Sequence, residues 1–147
     1  MSLATLSEAQ RRSVFASLRI LEERLDAMEA WLRVAGKRTE GCWWVNDLEP
    51  GRQQHLHTSL EATRSLLDET FRALGHPPEP ISVFQRLQAS IGLNWEDSLE
   101  LRAQRIRNYG PLDDEAANAL DRISETLSDH FHRMRQDLGN PGTSHDA

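Results

Sequence analysis

Residues 7–35 read SEAQRRSVFASLRILEERLDAMEAWLRVA, and the spacing of their apolar side chains decides the fold class. Val14, Leu18, Leu21, Leu25, Met28, Leu32 and Ala35 recur at alternating steps of four and three, which returns them to one face of a helix. Ser7-Glu8-Ala9-Gln10 matches a capping box, so the helix is expected to start there, and Gly36 to end it. Phe15, Ile20 and Trp31 flank the seam and widen it, which predicts contact with more than one neighbour.

Three further stretches repeat the pattern. Pro50 suits the first turn of a second helix, with Leu56, Leu60, Thr63, Leu67, Phe71 or Thr70, and Leu74 on one face, stopped by Gly75-His76-Pro77-Pro78. Pro80 opens a third, carrying Ile81, Phe84, Leu87 and Ile91, with a kink or break expected near Gly92–Asn94 and Asn94 able to cap a fresh start. Asp113-Asp114-Glu115 complements the dipole of a fourth, whose seam is Ala116, Leu120, Ile123, Leu127, Phe131, Met134 and Leu138. The expectation is an all-α, antiparallel four-helix bundle of up-down-up-down topology. Residues 1–138 would form a single domain and 139–147 a flexible tail.

Composition bounds the function. The 147 residues suit one core that needs no staple, and Cys42, the single cysteine, has no partner for an internal disulfide. No apolar run approaches the roughly 18 residues needed to span a bilayer, and no signal-peptide pattern opens the chain, so a cytoplasmic location is expected. A formal charge of −6 disfavours nonspecific binding to nucleic acid or anionic lipid.

Residues 36–49 read GKRTEGCWWVNDLE and show no helical period. Structureless connections of this length are uncommon and often functional. Trp43 and Trp44, with Trp31, are expected either to close the end of the bundle or to form a binding surface, tryptophan being enriched at binding hot spots. Trp95 joins them as a candidate for a Trp-lined pocket between helices. Cys42, His55 and His57, with Asp47 or Glu49, are metal-ligand types, but histidines two apart on a helix point roughly 200° from one another, so no metal site is assigned. His130-x-His132 lacks the repeated Glu-x-x-His of di-iron bundles. Arg102, Arg105 and Arg107, ahead of Asn108 and Tyr109, form the densest basic cluster. They are expected to offset the negative end of the third helix, or to grip an anion.

Arg52 and His57 satisfy Arg-x4-His, which resembles the short signature of the helical HEPN ribonucleases over six residues. The resemblance implies a metal-independent ribonuclease using that pair, although its place at the start of the second helix departs from the family. No phosphate loop, nucleophile elbow or paired-cysteine motif occurs. By elimination the sequence favours a non-enzymatic interaction protein without cofactor, binding another protein or itself as a homodimer, with a sensor of small apolar ligands as a third reading.

Overall fold

The computed structural model describes residues 2–140, so the expected tail lies outside the described residues from 141 onward. The described residues are all-helical, with five α-helices among them: α1 (Glu8–Val34), α2 (Arg52–Leu74), α3 (Val83–Leu99), α4 (Ala103–Ile106) and α5 (Asp114–Leu138), a 3-10 turn following α4. The chain divides into two compact units, Met1–Pro78 and Glu79–Ala147.

The first unit is a hairpin of α1 and α2. Its α1 starts as the sequence predicts: the Ser7 hydroxyl accepts from the Gln10 amide, and the Gln10 side chain accepts from the Ser7 amide at 2.8 Å. Gly36 turns the chain with φ of 82°, a left-handed conformation that glycine adopts without steric cost. The antiparallel course is fixed at one end by the Arg11 guanidinium, which donates to the Leu74 carbonyl at 3.0 Å, and by an edge-on Phe15–Phe71 pair. Phe15, Leu18 and Leu25 of α1 pack with Leu60, Leu67 and Leu74 of α2 as the core. Fully burying such a side chain contributes about 1.5–3 kcal/mol.

Leu21 and Met28, expected in the core seam, are exposed, while Phe15, expected beside it, is buried. Two lines of apolar residues run side by side on α1, and α2 covers the line Phe15–Leu18–Leu25. Leu21 and Met28 sit roughly 60–80° further round the helix from Leu18 and stay open. Helix α2 also begins two residues beyond Pro50, from Gly51 in a left-handed conformation.

The second unit pairs α3 with α5. Helix α3 starts at Val83, its Ser82 cap accepting from the Gln85 amide, and so leaves Ile81 outside. It runs unbroken through Gly92–Asn94, contrary to expectation. An interior glycine costs only about 1 kcal/mol against alanine, too little to stop a helix packed on a neighbour. The interruption instead falls at Glu100–Arg102, where α5 intervenes. The Ser124 hydroxyl donates to the Ser98 carbonyl at 2.8 Å, and the Asp121 carboxylate accepts from the Ala103 amide at 2.9 Å, starting α4. Helix α5 starts in the acidic run as expected, and Asp113 caps it, accepting from the Ala116 amide at 2.8 Å. The buried residues of this unit are small: Ser98, Ala103, Ala117 and Ser124. Ile123 and Met134, expected in the seam, are exposed.

Candidate functional site

The 36–49 connection is a local turn followed by a strap. Gly36 donates to the Trp44 carbonyl at 2.6 Å, and the Trp44 amide donates to the Lys37 carbonyl at 2.9 Å. Thr39 closes the tip, its hydroxyl accepting from the Cys42 amide at 3.1 Å. These bonds fold Trp44 back over the end of α1, after which residues 45–48 run toward α2.

Between strap, α1 and α2 lies an open apolar groove of about 300 Å³. Met28, Trp31 and Leu32 supply its α1 wall, Leu56 and Leu60 its α2 wall, and Trp44, Val45 and Leu48 its strap wall. Leu32 and Leu60 also belong to the hairpin core or pack on it, so the floor of the groove is the end of that core. Trp31 is 57% exposed, and the tryptophans form no ring pair with one another among the described residues. Of the two expected roles, closing the helix ends or forming a binding surface, neither is served by a stacked tryptophan cluster among the described residues. The strap reaches the rim of the core without covering it.

Asp47 is the sole ionisable side chain lining this groove. It makes no hydrogen bond or ion pair with a described residue, whereas its neighbour Asn46 donates to the Gln53 side chain at 3.4 Å. The groove thus presents one unneutralised carboxylate at an apolar, aromatic surface.

The other candidates are dispersed. Trp43 is 63% exposed and lines no part of the groove. Trp95 belongs to the second unit, where its ring lies 6.0 Å from that of His132 and both line a small cleft of about 80 Å³ with Ile91, Gly92, Phe131 and Arg135. Arg52 opens α2 with its guanidinium directed to Glu49 at 3.4 Å, His55 is exposed, and His57 is half-buried. Cys42 is exposed, and among the described residues no three His, Cys, Asp or Glu side chains gather around one point. Arg102, Arg105 and Arg107 do not sit at the end of α3 as expected. They lie beyond it, Arg102 as the residue before α4, Arg105 within α4 and Arg107 in the 3-10 turn.

The strongest electrostatic cluster joins the helices of the first unit. Arg64 on α2 donates to Asp26 at 2.7 Å and to Glu29 at 2.9 and 3.1 Å. Hydrogen bonds to Asp26 and then Glu29 raise its affinity for the proton further, so this guanidinium is a fixed cation. Sequence periodicity missed it, because Arg64 occupies a position between Leu60 and Leu67 where an apolar residue is ordinarily sought.

Compared with protein families, curated proteins and solved structures, the chain matches none. No helix among the described residues is long and apolar enough to cross a membrane.

Proposed function

We propose that this chain is a non-enzymatic interaction protein whose first unit takes an amphipathic, basic helical segment of a partner protein in the Trp31–Trp44 groove. One observation carries the reading: apolar exposure does not stop at Met28 in the groove wall but recurs two turns back along α1 at Leu21. An elongated apolar stripe suits a helix lying in a groove, whose anchors recur at three and four residues, better than a compact ligand. Asp47 sets the sign of the partner, since docking over this exposed carboxylate would bury it, which is costly without a cation opposite. Trp31 and Trp44 have the character of hot-spot residues.

The test uses two synthetic amphipathic helices with the same leucine face, one flanked by lysine and one by glutamate, followed by tryptophan fluorescence. The lysine peptide is expected to bind saturably and the glutamate peptide about tenfold more weakly or not at all. Asp47→Lys should reverse that order, and Met28→Glu should abolish both. Equal binding of the two peptides, or binding indifferent to Met28→Glu, overturns the proposal. In the homodimer reading the occupant is a second copy, and sedimentation of wild type against Met28→Glu shows it. In the single four-helix bundle suggested by the sequence, the stripe is instead covered within the chain, and neither peptide binds.

A sensor of small apolar ligands is the second reading, favoured by the aromatic lining and by a volume at the lower end of the range for ligand pockets, about 300–1,000 Å³. A metabolite screen read by tryptophan emission tests it, and an unchanged spectrum throughout sinks it. The ribonuclease reading rests on Arg52 and His57. Equal background cleavage of RNA by wild type and His57→Ala ends that one.

A further inference from the structure

We infer that the α4 turn of the second unit is a binding site for a phosphate-bearing small anion, independent of the groove in the first unit. Leu99, Arg102, Gln104, Arg105 and Asn108 line a surface cleft of about 400 Å³. Every polar side chain in that lining carries N–H donors, and none is a carboxylate. Guanidinium forks match phosphate oxygens two at a time, which makes arginine better suited than lysine to such a ligand.

Among the described residues these cations are at most weakly engaged. The Arg102 and Arg107 side chains make no ion pair or hydrogen bond with a described residue. Arg105 reaches Glu100 only at 3.8 Å, with both side chains mostly exposed, a pair worth little in water. Crowding three like charges into six residues is unfavourable in itself, and an anion would relieve it.

The turn that carries them is nevertheless firmly placed. Ala103 is buried, and its amide is held by Asp121 of α5 at 2.9 Å. The donors therefore project from a pinned backbone, which lowers the ordering cost of binding. A neighbouring cleft shares Arg102 and Gln104 and adds Arg107, but Asp121 and Glu125 also line it. Those carboxylates repel an anion, so the ligand belongs on the side of Arg105 and Asn108. Tyr109, next along the chain and 91% exposed, offers an aromatic face on which a nucleobase could stack.

Backbone amide shifts followed by NMR at low ionic strength, with inorganic tripolyphosphate in one arm and adenosine triphosphate in the other, test the site. Saturable shifts confined to residues 99–109 are expected, with Arg102→Ala and Arg105→Ala each weakening binding about tenfold. Arg122→Ala, an exposed arginine outside both clefts, should bind as wild type. Equal affinity for the two ligands limits recognition to the phosphates. Tighter binding of the nucleotide, lost in Tyr109→Ala, adds the ring. Shifts that spread over arginines throughout the chain without saturating, or unaltered binding by both Arg102→Ala and Arg105→Ala, overturn the inference.

Discussion

The two units are both built on antiparallel helix pairs with apolar residues at heptad-like spacing, yet the residues most fully removed from water differ in kind, although Ile91, Leu127 and Phe131 are half-buried in the second unit. Between α1 and α2 the buried residues are Phe15 and five leucines. Between α3 and α5 the most deeply buried side chains are Ser98 and Ser124, and hydroxyls bridge the contact there: Ser124 to the Ser98 carbonyl at 2.8 Å, and Ser98 with Ser128 at 3.2 Å. Large side chains hold helices apart and gain from the area they remove from water. Small ones admit the neighbouring backbone, and the gain shifts to close contact and satisfied polar groups. The first interface should therefore fail when it loses volume, and the second when it gains volume.

The largest effect is expected from Leu74→Ala, because that side chain is 0% exposed and its truncation leaves a cavity in the core. Chemical denaturation should show a loss of about 2–5 kcal/mol, whereas Leu67→Met, which conserves volume, should cost less than about 1.5 kcal/mol. The mirror experiment is Ser124→Leu, at 1% exposure. Overpacking adds about 1–3 kcal/mol to the loss of one hydrogen bond of about 0.5–1.5 kcal/mol, and Ser124→Ala should retain only the second term. If Ser124→Leu were stabilising, the claim of close approach would be wrong.

Next in size are the caps, one for each unit. Ser7→Ala and Asp113→Ala each remove an acceptor for an otherwise unpaired amide, and each should cost about 1 kcal/mol by thermal melting. Asp113→Ala should cost slightly more at low salt, since its charge also faces the positive end of α5.

The Ser7 cap was legible in the sequence because capping is local chemistry: Ser7 and Gln10 find each other within one turn, and Gly36 and Gly75, read as helix stops, take left-handed conformations. The interfaces were only half legible. Periodicity places Leu18 and Leu21 on neighbouring lines of α1, but which line α2 covers depends on the partner surface, which no local pattern encodes. Serine at an interhelical position carries no apolar signal, so Ser98 and Ser124 went unseen while Ile123 and Met134 were overvalued. The end of α3 was misplaced for the same reason, since its cause lies on α5 in Asp121 and Ser124, not in Gly92 or Asn94. Of the candidate site, the connection with Trp31 and Trp44 stood out by composition. The sign of its charge, set by Asp47, emerged only from the geometry.

The smallest effect separates the polar elements of the two pairs. Arg64 bridges Asp26 and Glu29 across α1 and α2, but its side chain remains about a third exposed, so water and salt screen the attraction that the short distances suggest. Arg64→Leu should change stability by less than about 1 kcal/mol, and raising the ionic strength should shrink even that difference. The pH dependence has a definite sign. A basic group whose proton affinity is raised by folding stabilises the native state below its unfolded pKa and loses that contribution only as pH rises through the folded value. For an arginine that window lies far above neutrality. Wild type and Arg64→Leu should therefore keep a constant difference between pH 7 and 9 as far as the guanidinium is concerned. The Ser98–Ser124 contacts carry no net charge and should be indifferent to salt, so a salt titration of Arg64→Leu beside Ser124→Ala reads the contrast between the two interfaces directly.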